Sequence, residues 1–363
     1  MEEGKISSFQ LTRLVMSFMM ATGLIFPPLR GVWQDSWLTL LFGLAGGIVF
    51  ALIYTTLCLR FPGQTLIEIY ETVFGPIIGK LFSVAFLWYI FYLGAQASAI
   101  FITLLTTTVF TMTPRYVFSI TWIIVSVYLC KKGIEVIARV NEPLLLVTVF
   151  LIVGTLFLVL NLFDPENFLP LWNISLSELL WAGFGTITFP FGLNIVFGLI
   201  LPFLQQREQG RSAVIKGLGG AALVLLISLL ITVGVLGEVG EIFLFPTYQA
   251  FRMIQIGQVL TRLELIPTLN FLTMGFIKGT IALYAVSLGT AQLCKLLTYR
   301  PLVFPLGILM LIAAHQSHPN IGVSLEMIER VQPFYALPFQ LLLPLLTLLV
   351  AVFRRLPVKE GQT

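Results

Sequence analysis

Thr22-Gly23-Leu24-Ile25-Phe26-Pro27-Pro28 and Gly185-Thr186-Ile187-Thr188-Phe189-Pro190-Phe191-Gly192 carry the same interruption, glycine and threonine ahead of Phe-Pro, in two separate apolar stretches. Proline removes a backbone donor and clashes with the preceding turn, so a helix breaks at each place. Lipid cannot satisfy the amides and carbonyls that such a break frees. A broken helix inside a bilayer therefore faces protein or a watery cavity. Paired breaks in corresponding halves of a chain mark the mid-membrane binding site of a transporter-type architecture, whereas a single proline kink is ordinary.

The surrounding composition agrees. The 363 residues are 58% hydrophobic and 10% charged, with a mean hydropathy of +0.97. That balance excludes a soluble domain and predicts a polytopic membrane protein in a lipid bilayer. The net charge of +4 does not point to nucleic acid, because the basic residues cluster by side of the membrane. The first apolar run has the length of a span and no cleavage site, so no signal peptide is expected. One membrane domain, 1–363, is expected.

Ten spans are predicted: 9–31, 37–60, 79–108, 115–131, 141–162, 178–204, 217–237, 267–296, 301–316 and 334–353. Threaded alternately, they put fifteen of the 21 lysines and arginines on one side, among them Lys5, Arg60, Lys131, Arg139, Arg207 and Arg354. Arg30, Arg115, Arg252, Arg262 and Arg330 fall on the other, and Lys278 inside a span. The positive-inside rule makes the basic side cytoplasmic, with both termini on it. Cys58, Cys130 and Cys294 lie at helix ends on that side, where thiols stay reduced, and read as packing residues. Ten spans divide into five and five, with the breaks in spans 1 and 6. Since five is odd, the second half enters from the opposite face. An all-α fold of two inverted repeats, 1–162 and 163–363, is the LeuT-type arrangement.

In such a fold the broken helices supply the site. Their N-terminal ends attract a carboxylate and their C-terminal ends a cation. Thr22, Gly23, Thr186, Thr188 and Gly192 are small or hydroxyl-bearing and let a ligand approach backbone, with Phe26 and Phe189 beside them. A zwitterion such as an amino acid, or a small anion, suits this site. Lys278 lies about eleven residues into span 8, roughly 16 Å deep at 1.5 Å per residue. Gly275, Lys278, Ala282, Ala285, Gly289 and Gln292 share its small, polar helix face, which is expected to pack inward. Lys278 either bonds the loose carbonyls of a broken helix and fixes the fold, or takes part in ligand binding or ion coupling. Tyr89, Tyr92, Gln96, Ala99 and Thr103 form a face of span 3 that lines the same cavity or packs. Arg139 and Glu142 at the start of span 5 are expected to pair as an inner gate or structural contact. Residues 246–264 repeat apolar positions at helical spacing, an amphipathic helix on the outer surface. His315 and His318 are expected to be solvated. No phosphate loop, G-x-S-x-G or H-E-x-x-H occurs, so neither an enzyme, a metal site nor a cofactor is expected.

Several stretches resemble the spore germination permease family: Gly4-Lys5-Ile6-Ser7-Ser8-Phe9-Gln10-Leu11, Thr113-Pro114, Arg139-x-Asn141-Glu142, Phe245-Pro246-Thr247-Tyr248, Ile254-Gln255-Ile256-Gly257, Arg262-Leu263-Glu264 and Phe276-Ile277-Lys278. The family often carries an acidic residue where Leu260 or Thr261 stands. These proteins are B-type subunits of nutrient germinant receptors within the amino acid–polyamine–organocation superfamily. The resemblance implies a spore inner-membrane protein that recognises a nutrient, commonly an amino acid. It also implies A-type and C-type subunit partners and coupling to ion release. A proton-coupled amino-acid permease and a channel or scaffold subunit are the competing readings.

Overall fold

The computed structural model describes residues 4–27, 32–253, 265–317, 322 and 326–357. The helices are α1 (Ser8–Gly23), α2 (Ser36–Arg60), α3 (Leu66–Leu104), α4 (Arg115–Lys132), α5 (Ile134–Leu158) and α6 (Leu176–Thr188). They continue with α7 (Gly210–Leu236), α8 (Pro246–Met253), α9 (Leu265–Leu293), α10 (Arg300–Ser317) and α11 (Met327–Phe353), the last interrupted by π-turns. Seven of the described segments are long and apolar enough to cross a membrane. The remaining expected spans are α1 at 16 residues, α4 at 18 and α10 at 18. The expected amphipathic segment is helical over α8, and its residues 254–264 lie outside the described residues, as does His318.

The packing repeats with the two halves exchanged. Swapping α1 with α6, α2 with α7, α3 with α9, α4 with α10 and α5 with α11 carries several neighbouring pairs onto one another. Thus α1 packs on α7 as α6 packs on α2, α4 on α9 as α10 on α3, and α5 on α7 as α11 on α2. This is the five-plus-five inverted repeat. Its two broken helices begin alike, each with a reciprocal serine cap: Ser7 with Gln10 in α1 and Ser175 with Glu178 in α6.

Burial sorts the helices into layers. In α9, 83% of the apolar window is buried, against 33–39% in α2, α3, α5 and α11. So α9 runs through the centre while those four turn apolar side chains such as Trp88, Phe150 and Phe353 outward. In water such faces would aggregate; in lipid they are solvated. The small face of α9 packs on α3, as expected: a Cβ on Gly289 would meet Leu87, and one on Gly94 would meet Ala282. The expected start of span 3 at residue 79 lies three residues past Pro76, where the span begins; what was not expected is the helix over 66–74 ahead of it. A short helix precedes the span and bends at Gly75, whose φ of 82° suits glycine, with Pro76 opening the span proper.

Two tertiary ties position the site. At the basic side, Ile6 and Leu204 form a parallel bridge: Ile6 N donates to Phe203 O at 3.0 Å and Gln205 N to Ile6 O at 3.0 Å. The start of the chain is thereby bound to the exit of the second broken helix. On the other side, buried Asp35 accepts backbone bonds from Trp172 (3.0 Å), Asn173 (2.8 Å) and Ile174 (3.1 Å). This carboxylate holds the connection into α6 against the start of α2. Bonds to a charged acceptor contribute about 1.5–3 kcal/mol each. Asp35→Ala is therefore expected to lower the Tm of the detergent-solubilised protein by at least about 5 °C. An unchanged Tm would show that the loop is held by Trp37 and Trp172, whose rings meet edge-on at 5.6 Å.

Candidate functional site

The first break is built from the end of α1. The helix ends at Gly23, its last α-type bonds running from Leu24 N to Met20 O (3.1 Å) and from Phe26 N to Thr22 O (3.0 Å), a carbonyl that Ile25 N also reaches at 3.2 Å. Pro27 has no amide to continue the ladder. The expected span 9–31 is thus helical only through Gly23, with Pro28 and Arg30 outside the described residues. The Thr22 hydroxyl accepts a 2.9 Å bond from Lys278 Nζ, which reaches across from α9. The same amine lies 4.9 Å from the Phe18 ring centre and 5.6 Å from that of Phe189. One buried nitrogen therefore touches both breaks, Thr22 at the first and Phe189 at the second. The groups facing this amine are the C-terminal, negative end of α1 and two ring faces. It makes no ion pair among the described residues.

At the second break α6 ends at Thr188, and a fully buried 3₁₀ stretch, Phe191–Leu199, follows Pro190. The freed Thr188 carbonyl accepts a bond of 2.9 Å from Gln340 Nε2, which also donates to the Tyr89 hydroxyl at 2.7 Å. Gln340 is buried, and its Oε1 has no partner. Each broken helix thus ends on a side-chain donor from elsewhere, Lys278 for α1 and Gln340 for α6. Sequence reasoning missed Gln340. Its signal was a single amide in the otherwise apolar run Leu337-Pro338-Phe339-Gln340-Leu341-Leu342.

The other expected site residues divide. Gln96 is buried on α3 with an unpaired Nε2, while Ala97, Ile100 and Phe101 line a narrow cavity at Lys278. That cavity is about 10 Å³, room for one water at most, so an amino acid needs the surrounding helices to move apart. Phe26 sits 6.1 Å from Phe245 in front of the site. The Thr188 hydroxyl bonds back to Phe184 and Gly185. Gly23, Gly192 and Thr186 stand where other side chains approach. A Cβ on Gly23 would lie 2.7 Å from Leu225, and one on Gly192 would lie 2.0 Å from Gln340 Oε1. Thr186 fills the space above Gly43 of α2. Tyr92 packs edge-on with Tyr335, and Thr103 accepts from Arg115. His315 is exposed, as expected, and also bonds Ser119 at 2.9 Å.

The expected pairing of Arg139 with Glu142 is corrected. Arg139 bonds Glu135 one turn away, and Glu142 instead pairs at 3.2 Å with Arg13 of α1, whose guanidinium caps the Phe9 ring at 3.8 Å. Proximity in sequence favoured the local pair, but the packing of α5 on α1 brings Arg13 closer. This ion pair joins α1 and α5 at the basic side. Being partly exposed, it contributes about 1 kcal/mol at most. Arg13→Glu is expected to increase alkylation of a cysteine placed at Ser17 up to about fivefold. Adding Glu142→Arg is expected to reverse the increase; equal labelling of all three proteins would show no closure by this pair.

The sequence profile of the spore germination protein family, the spore permeases, matches residues 5–321. The chain belongs to this family. Its relatives include spore germination protein KB of Bacillus subtilis (strain 168), 29% identical over 362 residues, with 98% of this chain and 96% of that one covered. Spore germination protein YndE of the same organism is 23% identical over 357 residues, covering 97% of each chain. Among solved structures, Mhp1, a nucleobase-cation-symport-1 family transporter closed around bromovinylhydantoin, superposes with a TM-score of 0.64. That match covers 97% of this chain and 94% of the other at 14% identity. An Eremococcus coleocola manganese transporter gives 0.65 at 14% identity, covering 93% and 78%. At such identity the likeness is one of fold alone. This spore permease has the LeuT-type fold of ion-coupled transporters, and its neighbours are transport and germination proteins rather than enzymes.

Proposed function

We propose that this spore permease is the nutrient-sensing, B-type membrane subunit of a germinant receptor. A small nutrient, an amino acid, binds at mid-membrane between the two breaks, α3 and α9, and triggers germination and ion release with A-type and C-type subunits. The observation that carries this reading is the Lys278 amine, which spans Thr22 and Phe189 without a carboxylate among the described residues. A nutrient carboxylate is the natural partner for that charge. Taking it up draws Lys278 off Thr22 and loosens α1 from α9. Glu142 and Arg13, at the other end of α1, couple that movement to the basic side, while Arg139 braces α5. The protein lies in the spore inner membrane with both termini cytoplasmic, as one membrane domain whose repeats meet near residues 162 and 163.

Spores lacking the gene, exposed to single amino acids and sugars while dipicolinic acid release is followed, test the proposal. Loss of one nutrient response, restored by the intact gene, supports it. Normal germination on every nutrient would favour a proton-coupled amino-acid permease, a reading supported by the fold and by an ion pair positioned to close one side. In that reading Lys278 stands in for a coupling cation, and uptake into liposomes is the distinguishing measurement.

A further inference from the structure

A second cavity lies well away from the breaks, on the basic side. Its volume is about 430 Å³, and its walls come from the end of α2, the turn at Pro62-Gly63-Gln64, the exit of the second broken helix at Leu201-Pro202, and the start of α7. Arg207 and Arg211 both line it. The Arg207 guanidinium rests over Gly63, where a Cβ would come within 3.2 Å of Nη1 and where φ is +87°. The Arg211 Nη2 donates to Thr56 at 2.8 Å, leaving its buried Nε without a partner. Neither arginine forms an ion pair among the described residues, although Glu208 is on the same lining, exposed to solvent. The first turn of α7, starting at Gly210, has no side-chain cap. Two guanidiniums, the Gln64 side chain and the start of α7 line one concave site of ligand size.

We infer that this cavity binds a phosphate group, carried by an anionic phospholipid or by a soluble phosphate. Planar guanidiniums bind phosphate oxygens in pairs, which suits two arginines on one wall better than it suits a monovalent halide. The bound group clamps α2, α7 and the exit of the second broken helix together. Because Leu204, two residues past Pro202, is bridged to Ile6, the clamp also holds the start of the chain. The inference rests on this geometry and is independent of nutrient binding.

Thermal unfolding of the full-length protein in detergent tests it. Inorganic phosphate is compared with chloride at equal ionic strength, and phosphatidylglycerol with a phosphate-free galactolipid. A Tm rise of about 5 °C at saturation is expected. A rise with phosphatidylglycerol alone identifies a lipid headgroup, and a rise with inorganic phosphate a soluble ligand. The rise is expected to vanish in the double variant Arg207→Gln/Arg211→Gln and to persist in Arg252→Gln, which lies outside the cavity. Arg211 also bonds Thr56, so the single variant Arg207→Gln, at an exposed position, serves if the double variant folds poorly; it should lose most of the rise. No rise with either phosphate source, or an equal rise in the arginine variants, overturns the inference.

Discussion

Spores carrying Lys278→Met in place of the native chain are expected to lose their nutrient response while the protein stays in the membrane at a normal level. Methionine keeps the length of the side chain and removes the amine, so packing against Phe18 and Phe189 survives. What disappears is the bond to Thr22 and the one amine shared by both breaks. A hydrogen bond to a charged group contributes about 1.5–3 kcal/mol, which corresponds to a loss of sensitivity of roughly tenfold to a hundredfold. Dipicolinic acid release against nutrient concentration, with an immunoblot of spore membranes, reads both quantities. A variant present at normal level and responding at wild-type concentrations would remove Lys278 from the site. Loss of the protein itself would assign the lysine to folding, through its tie between α9 and the end of α1.

A larger steric effect is expected at Gly192. A Cβ there would stand 2.0 Å from Gln340 Oε1, far inside van der Waals contact, and valine adds two methyl groups. Gln340 cannot yield freely, since its Nε2 holds Thr188 O and Tyr89. Pushing it aside strands a carbonyl and a hydroxyl in a buried place, at about 1–3 kcal/mol each, in addition to the overpacking. Gly192→Val should therefore lower the amount of folded protein as well as abolish the response. Gly192→Ala combined with Gln340→Ala removes the collision and should fold better than Gly192→Ala alone, as measured by the Tm in detergent. If the double variant is no better, the tight contact with Gln340 is not what requires glycine. The same logic holds more weakly at Gly23, where the neighbour is the end of a leucine side chain.

Much of this architecture was legible in the chain. Pro27 and Pro190 announced the breaks because proline acts through local covalent geometry, which needs no knowledge of neighbours. Lys278 stood out because a lone cation in an apolar run has few structural uses. Gln340 was harder to read, because an uncharged amide in a span acquires meaning only from the carbonyl it meets, and Thr188 lies 152 residues away. Arg13 was hidden for a similar reason: Arg139 stood three positions from Glu142, and only the packing of α1 on α5 decides between them. Gly23 and Gly192 were read as places where a ligand approaches backbone, whereas the Leu225 and Gln340 side chains stand against them, a tertiary fact no local pattern reveals. The helix ahead of span 3 was lost because Glu68 and Glu71 interrupt its apolar pattern and Gly75-Pro76 reads as a start rather than a bend.

The pairing of Ile6 with Leu204 has a practical side. Anything attached at Met1 hangs only a few residues from the strut that joins the start of the chain to the second broken helix. An affinity handle, fluorophore or fusion partner placed there pulls on the hydrogen bonds that join the start of the chain to the exit of the second broken helix. A purification or imaging reagent for this protein therefore belongs on the carboxyl end, past Pro357, where the load passes to Arg60 through its bond to the Leu356 carbonyl rather than to the strut.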